Sequence, residues 1–184
     1  MRVRASLALL ALFLGAVLPA RAAIEVAAIG LALAEEHADF SADVSVSLGR
    51  AVVDALEHGV PVTFGWTVEL RDERDFAPDT LLWEASGTLR VDYRALSKRY
   101  SITAGDTDDT QSYPNRRRML ESLGAFTQRF PPLATVLSAG QRPMLRFRLR
   151  LEIGELPPAL RLPSYLDPDW RLDSGWVERS LELP

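Results

Sequence analysis

Arg146, Arg148 and Arg150 occupy every second position of a stretch whose intervening residues are Leu145, Phe147, Leu149 and Leu151. Successive side chains of an extended chain point to opposite faces, so the three guanidinium groups form a positive ladder on one side and the apolar residues a row on the other. Such a ladder either faces carboxylates on its neighbours or, where those are missing, offers a site for lipid phosphates or an acidic peptide. A second basic cluster, Arg116, Arg117 and Arg118, follows Pro114 and falls in the first turn of an expected helix. There the helix dipole disfavours positive charge by roughly 0.3 kcal/mol or more per residue. Two compensations are open: pairing with the acidic loop 106–109, or an anion or acidic partner docking on the cluster. Trp170 and Trp176 lie six apart, which in an extended segment puts them on one face, either closing the core or exposed as a contact patch. These eight residues make up the possible interaction surface.

The same reading argues against catalysis. Asp106, Asp108 and Asp109 could offer oxygens to calcium, but the sixth position counted from Asp106 is Gln111 instead of glycine and the twelfth is Arg117 instead of glutamate. A solvated turn with no metal is expected. His37 and His58 are the only histidines, with no His-Glu-x-x-His spacing and no Gly-x-Ser-x-Gly turn. The absence of cysteine excludes disulfides, thiolate metal sites and a lipidated N-terminal cysteine. A carboxylate pair of the glycosidase kind stays open, because its two acids need not be neighbours in the chain. The expectation is a protein without catalytic residues or cofactor.

The N-terminus carries Arg2 and Arg4, then an apolar run over residues 5–17, then Pro19 and the small-residue pattern Ala20-Arg21-Ala22. A run of 13 residues is short of the roughly 20 needed to cross a bilayer, so it reads as a signal peptide cleaved after Ala22 and not as a retained anchor. The remaining 162 residues suit one domain. Cleavage removes three of the 21 basic residues, leaving 18 against 25 acids, a net charge of −7. Such an acidic chain is a poor nucleic-acid binder. A periplasmic location is expected, with residues 23–184 as a single β-rich domain and no later membrane span.

The elements that position these groups are strands. Val62, Phe64, Trp66, Val68 and Leu70 alternate with polar residues, as do Trp83, Ala85, Leu89, Val91 and Tyr93, and the two stretches are expected to pair around a charged loop at 72–79. Strands are also expected over 24–34, 39–48, 100–104, 144–153 and near 177–183. Residues 50–58 form a short helical connection stopped by Gly59. Met119, Leu123, Phe126 and Phe130 recur at helical spacing, which predicts a helix over 115–130. Pro157, Pro158 and Pro163 read as breakers. The fold class is mainly β: an antiparallel β-sandwich or strongly curved sheet with one packed amphipathic helix.

Four segments together resemble a bacterial family, the domain-of-unknown-function 4390 family, whose members are often labelled proline-rich signal-peptide proteins. They are Ala55-Leu56-Glu57-His58-Gly59-Val60-Pro61-Val62-Thr63-Phe64, Tyr93-Arg94-Ala95-Leu96-Ser97-Lys98-Arg99-Tyr100, the arginine-rich strand around Phe147, and Trp170-Arg171-Leu172-Asp173-Ser174-Gly175-Trp176. One departure lies in residues 72–82, where similar proteins tend to carry several tryptophans and tyrosines and this chain has only Phe76. The resemblance implies an exported envelope protein without established catalytic residues, often encoded beside a membrane sensor kinase of the nitrogen-regulation type. The functional expectation is a periplasmic β-domain that binds another envelope protein, possible partners including that kinase. The alternative is a small-ligand or lipid carrier, with a hydrolase ranked behind it.

Overall fold

A computed structural model describes residues 22–34, 36–105, 109–130, 132, 136–138 and 140–181. The expected signal peptide up to residue 21, and Asp106 and Asp108 of the acidic loop, lie outside the described residues. Two antiparallel sheets pack face to face. The smaller has the order β1 (Ala23–Leu33), β2 (Ala38–Ser47) and β7 (Ala125–Phe130). The larger runs β6 (Thr110–Tyr113), β5 (Arg99–Ala104), β4 (Thr80–Arg94), β3 (Val62–Asp72), β8 (Pro143–Leu151) and β9 (Val177–Ser180). This mainly β, sandwich-like architecture matches the alternating pattern of the sequence.

The sheets are held by the rows that alternation marks out. Val62, Phe64, Trp66, Val68 and Leu70 of β3 are all buried, as are Leu145, Phe147, Leu149 and Leu151 of β8, while β2 faces them with Phe40, Ala42, Val44 and Val46. Rings interlock across the interface: Phe40 lies 5.3 Å from Phe147, Phe126 5.1 Å from Trp66, and Trp83 4.3 Å from Phe130, measured between centroids. Gly87 pairs with Trp66 in the β3–β4 register, and a Cβ there would stand 2.7 Å from the indole. Glycine in mid-strand is unfavourable by itself, and here it lets the ring lie on the β4 backbone.

Two of the helices in the described residues cover part of what the smaller sheet leaves bare. α1 (Arg50–Glu57) buries Val52 and Leu56, and α2 (Arg116–Gly124) buries Met119 and Leu123. The expected helix over 115–130 is corrected at its second half, which is β7 pairing with β2 from Asp43↔Ala125 to Ala38↔Phe130. Phe126 and Phe130 are four apart, a spacing that places two residues on one side of a strand as well as on one side of a helix. The switch falls at Gly124, where a Cβ would come within 2.0 Å of the Val44 carbonyl oxygen. α3 (Pro158–Leu166) forms where prolines read as breakers. Pro158 sits in its first turn, where the missing N–H has no helical partner to lose. β6 is a further short strand that the sequence pattern did not mark.

Trp66→Ala removes a ring from the centre of this interface and is expected to lower unfolding free energy by about 3–5 kcal/mol, read from urea unfolding. Gly87→Val should also destabilise, because its side chain meets the indole. A loss under about 1 kcal/mol for Trp66→Ala would show that the row is not packed as described.

Candidate functional site

The arginine ladder is neutralised within the protein. Arg146 lies between two acids, with a guanidinium nitrogen 3.6 Å from Glu69 on β3 and Nε 2.9 Å from Glu178 on β9. The Nε is buried and makes no properly directed hydrogen bond, so Glu178 acts on it as a nearby charge. The Trp176 ring covers the same guanidinium at 4.6 Å and lies 5.9 Å from that of Arg148. Arg148 binds Asp173 through both Nε (2.9 Å) and a terminal nitrogen, and Arg150 Nε donates to Glu152 at 2.8 Å. Glu69 is itself buried and accepts from Arg71 Nε at 2.6 Å. Of the two readings of the ladder, the paired one describes these residues.

Asp173 is placed by its own neighbourhood. The segment carrying it runs beside β8, with Leu151 N–H donating to the Leu172 carbonyl (2.8 Å) and Ser174 N–H to the Leu149 carbonyl (2.9 Å). Its carboxylate also accepts the Gly175 N–H at 2.9 Å. The hydrogen bond from Arg148 holds Asp173 below the ordinary aspartate range, against burial, which pushes the other way. Trp170 and Trp176 do not share a face, contrary to expectation. A 3-10 turn at Pro168–Trp170 interrupts the extended segment, sending Trp170 into the core and Trp176 onto the outer face of β8.

Arg116, Arg117 and Arg118 open α2 as expected, under an Asn115 cap whose Oδ1 accepts the Arg118 N–H at 3.0 Å. Their ion pairs go to Glu57 (4.0 Å from Arg116) and to Glu121 (3.4 Å from Arg117, 3.1 Å from Arg118). Glu57 comes from α1, far away in sequence, and Glu121 lies one turn further along α2, so the helix supplies part of its own compensation. Arg116 and Arg117 rim an open groove of about 940 Å³ between α2, β2 and β5. Tyr93, Tyr100 and Leu120 give it an apolar lining, and its charges are mixed: Lys98 from the β4–β5 turn stands with Arg116 and Arg117, and Asp43, Glu57 and Glu121 line it as well. Lys98 holds a φ of 51°, in the left-handed region that costs a non-glycine residue energy. Tyr100 donates to Glu57 at 3.3 Å, and burial first, then that carboxylate, pushes its hydroxyl pKa up.

His37 sits 3.2 Å from Asp39, and His58 Nδ1 is 2.6 Å from the Asp54 carbonyl, so the two histidines are held locally and apart. Among the described residues no three metal-ligating side chains converge. Two features had no counterpart in the sequence reading. One is a cleft of about 520 Å³ between the sheets, floored by Trp66, Leu89, Ile102 and Phe126 and edged by Gln111, Tyr113 and Gln128. The other is α3, which exposes Leu162, Tyr165 and Leu166 together with Arg161; the signal that could have found it is Leu162, Tyr165 and Leu166 at helical spacing.

These features define a two-sheet antiparallel β-domain with a neutralised outer face and an open groove of mixed charge. The chain belongs to the family described as Domain of unknown function (DUF4390), whose model matches residues 21–180. No curated protein and no solved structure matches it.

A depressed carboxyl pKa contributes stability that is present above the unfolded value, about 3.9 for aspartate, and is lost as pH falls through the lower folded value. Asp173→Asn is therefore expected to be less stable than the parent at neutral pH, with the gap closing as the pH is taken below about 3.9. Urea unfolding over a pH series reads this. A gap that stays constant with pH would show that the ionised carboxylate is not its source.

Proposed function

We propose that this protein is a non-catalytic, exported module of the bacterial envelope that binds a segment of another envelope protein in the groove between α2, β2 and β5. The observation that carries the reading is the groove itself: Tyr93, Tyr100, Arg116 and Arg117, of residue types that dominate protein contacts, line an open groove in which the Arg116 and Arg117 side chains are 46% and 75% exposed to water. A partner carboxylate there would compete with Glu121 for Arg117, an exchange that exposed ion pairs allow because each contributes little. The sensor kinase implied by the family resemblance is the proposed partner, and the periplasm the proposed location. Local bonding of His37 and His58 supports the non-catalytic part, since neither is paired with a nucleophile.

Photo-crosslinkers placed at Arg117 and Lys98 in intact cells should capture the partner, whereas probes at Arg148 and Trp176 should not. Arg117→Glu should reduce capture several-fold without unfolding the domain. The probe-bearing protein itself should begin at Ala23 by mass spectrometry. Equal capture at all four positions would remove the groove from the reading.

A second reading, a periplasmic carrier of a small ligand or lipid, is supported by the cleft over Trp66, whose volume and mix of apolar floor and polar edge suit a small molecule. Native mass spectrometry of protein purified from cells should then reveal a bound molecule that Leu89→Trp displaces. Protein free of any adduct would leave the groove as the only reading.

A further inference from the structure

The cleft between the sheets holds a hydrogen-bond donor that the protein itself leaves unused. Trp66 is only 9% exposed, and the indole edge that carries Nε1 is the one over Gly87, where a Cβ would stand 3.0 Å from that nitrogen. Trp66 and Gly87 both line the cleft, so this edge faces into it. Among the described residues nothing accepts the indole N–H, and the one partnerless side-chain nitrogen or oxygen sealed from solvent is Arg146 Nε. Trp66 Nε1 therefore opens on the cleft. A tryptophan placed this deep ordinarily finds an acceptor for its N–H, and one left without calls for an explanation.

We infer that the cleft takes an uncharged small molecule with an apolar body and a carbonyl oxygen, and that this oxygen accepts the Trp66 N–H. The inference rests on the carrier reading above and names the class of ligand. Leu89, Ile102 and Phe126 supply a floor for the apolar body, and a volume of about 520 Å³ lies in the range of small-molecule sites. The polar edge narrows the chemistry. Tyr113 O–H donates to Gln111 Oε1 at 2.9 Å, so Ser122, whose Oγ is 2.6 Å from the same phenol oxygen, spends its own O–H there. The two hydroxyls are thus satisfied among themselves, and the Gln111 amide N–H groups are left as a second donor beside Trp66. Two donors ask for an oxygen acceptor on the ligand. Charge decides which kind. Among the described residues that line the cleft there is no Lys, Arg or His, and Asp109 carries the one carboxylate. A ligand carboxylate would lie against apolar surface without a countercharge, whereas a ketone, ester or amide oxygen has no such cost. A ligand cation would in turn meet donors where it needs acceptors.

Prodan, an uncharged naphthalene fluorophore with a single ketone, probes this directly. Titrated into isotope-labelled protein purified from the envelope fraction, it should brighten and shift to the blue. In the same titration one of the four indole N–H resonances should move downfield in the NMR spectrum, the one that Trp66→Phe removes. Methyl octanoate should displace the fluorophore, and octanoate at the same concentration should not. Trp66→Phe, which keeps a ring and loses the donor, should weaken Prodan binding several-fold. Gln111→Glu, at an exposed residue, should do so with thermal stability unaltered, and it keeps the test open should the Trp66→Phe interface be too loose to fold. Suppose Leu89→Trp expels Prodan, yet the Trp66 resonance stays in place on binding or octanoate competes as well as its ester. The ligand class is then overturned and the carrier reading stands. Prodan bound equally well by Leu89→Trp, or not bound at all, removes the cleft as a site and overturns both.

Discussion

Trp66 packs against the backbone of β4 at Gly87, and the packing of both sheets depends on that contact. With the indole held down, Phe126 reaches it from β7, and Phe147 and Phe40 complete a connected aromatic interface between the layers. An interior at crystal-like density cannot shift one ring without moving its neighbours. The cleft above Trp66 arises from the same geometry. The smaller sheet has three strands against six, so the inner face of β4 and β5 is left to α1 and α2, and the part that neither reaches stays open.

The outer face of the larger sheet solves a different problem. Three arginines on one strand would repel each other, and Arg146 is well removed from water. Glu69 across the β3 register, Glu178 across the β9 register and Asp173 in the adjoining segment each supply a countercharge, and Trp176 shields the centre. Because the acids come from three different parts of the chain, this cluster ties the edge of the sheet to its middle. Arg179 extends the tie to the other layer by donating to the Ile29 carbonyl of β1 at 2.7 Å. Pairs of this kind contribute modestly one by one, and removing one partner of a partly buried pair leaves the other charge uncompensated.

The groove and α3 lie outside that neutralised region. Both depend on short helices whose own residues do not dictate where they sit: α2 is positioned by Met119 and Leu123 against the sheet, and α3 is followed at once by the turn that sends Trp170 into the core. Functional surfaces are often carried by such connecting elements, because the sheet holds them in place while their outward residues are free of packing duty.

By itself the sequence determined the long strands, because burial on one face imposes a period of two and the apolar rows at 62–70 and 145–151 follow it, with Glu69 the one polar residue of the opposite face that is also buried. It also determined the absence of thiol chemistry and the position of α1, where Gly59 takes the left-handed conformation at a φ of 82°. Only the tertiary structure decided where α2 ends, since Phe126 and Phe130 satisfy both periods and the choice is made by β2, which needs a strand at its second edge. The partners of the arginines were decided there too: Glu69, Asp173 and Glu178 are recognisable as countercharges only once register brings them within reach. The outward face of α3 was likewise illegible, because an apolar helical stripe reads as core until the fold shows that Leu160 and Ser164, and not Leu162 or Leu166, are turned inward.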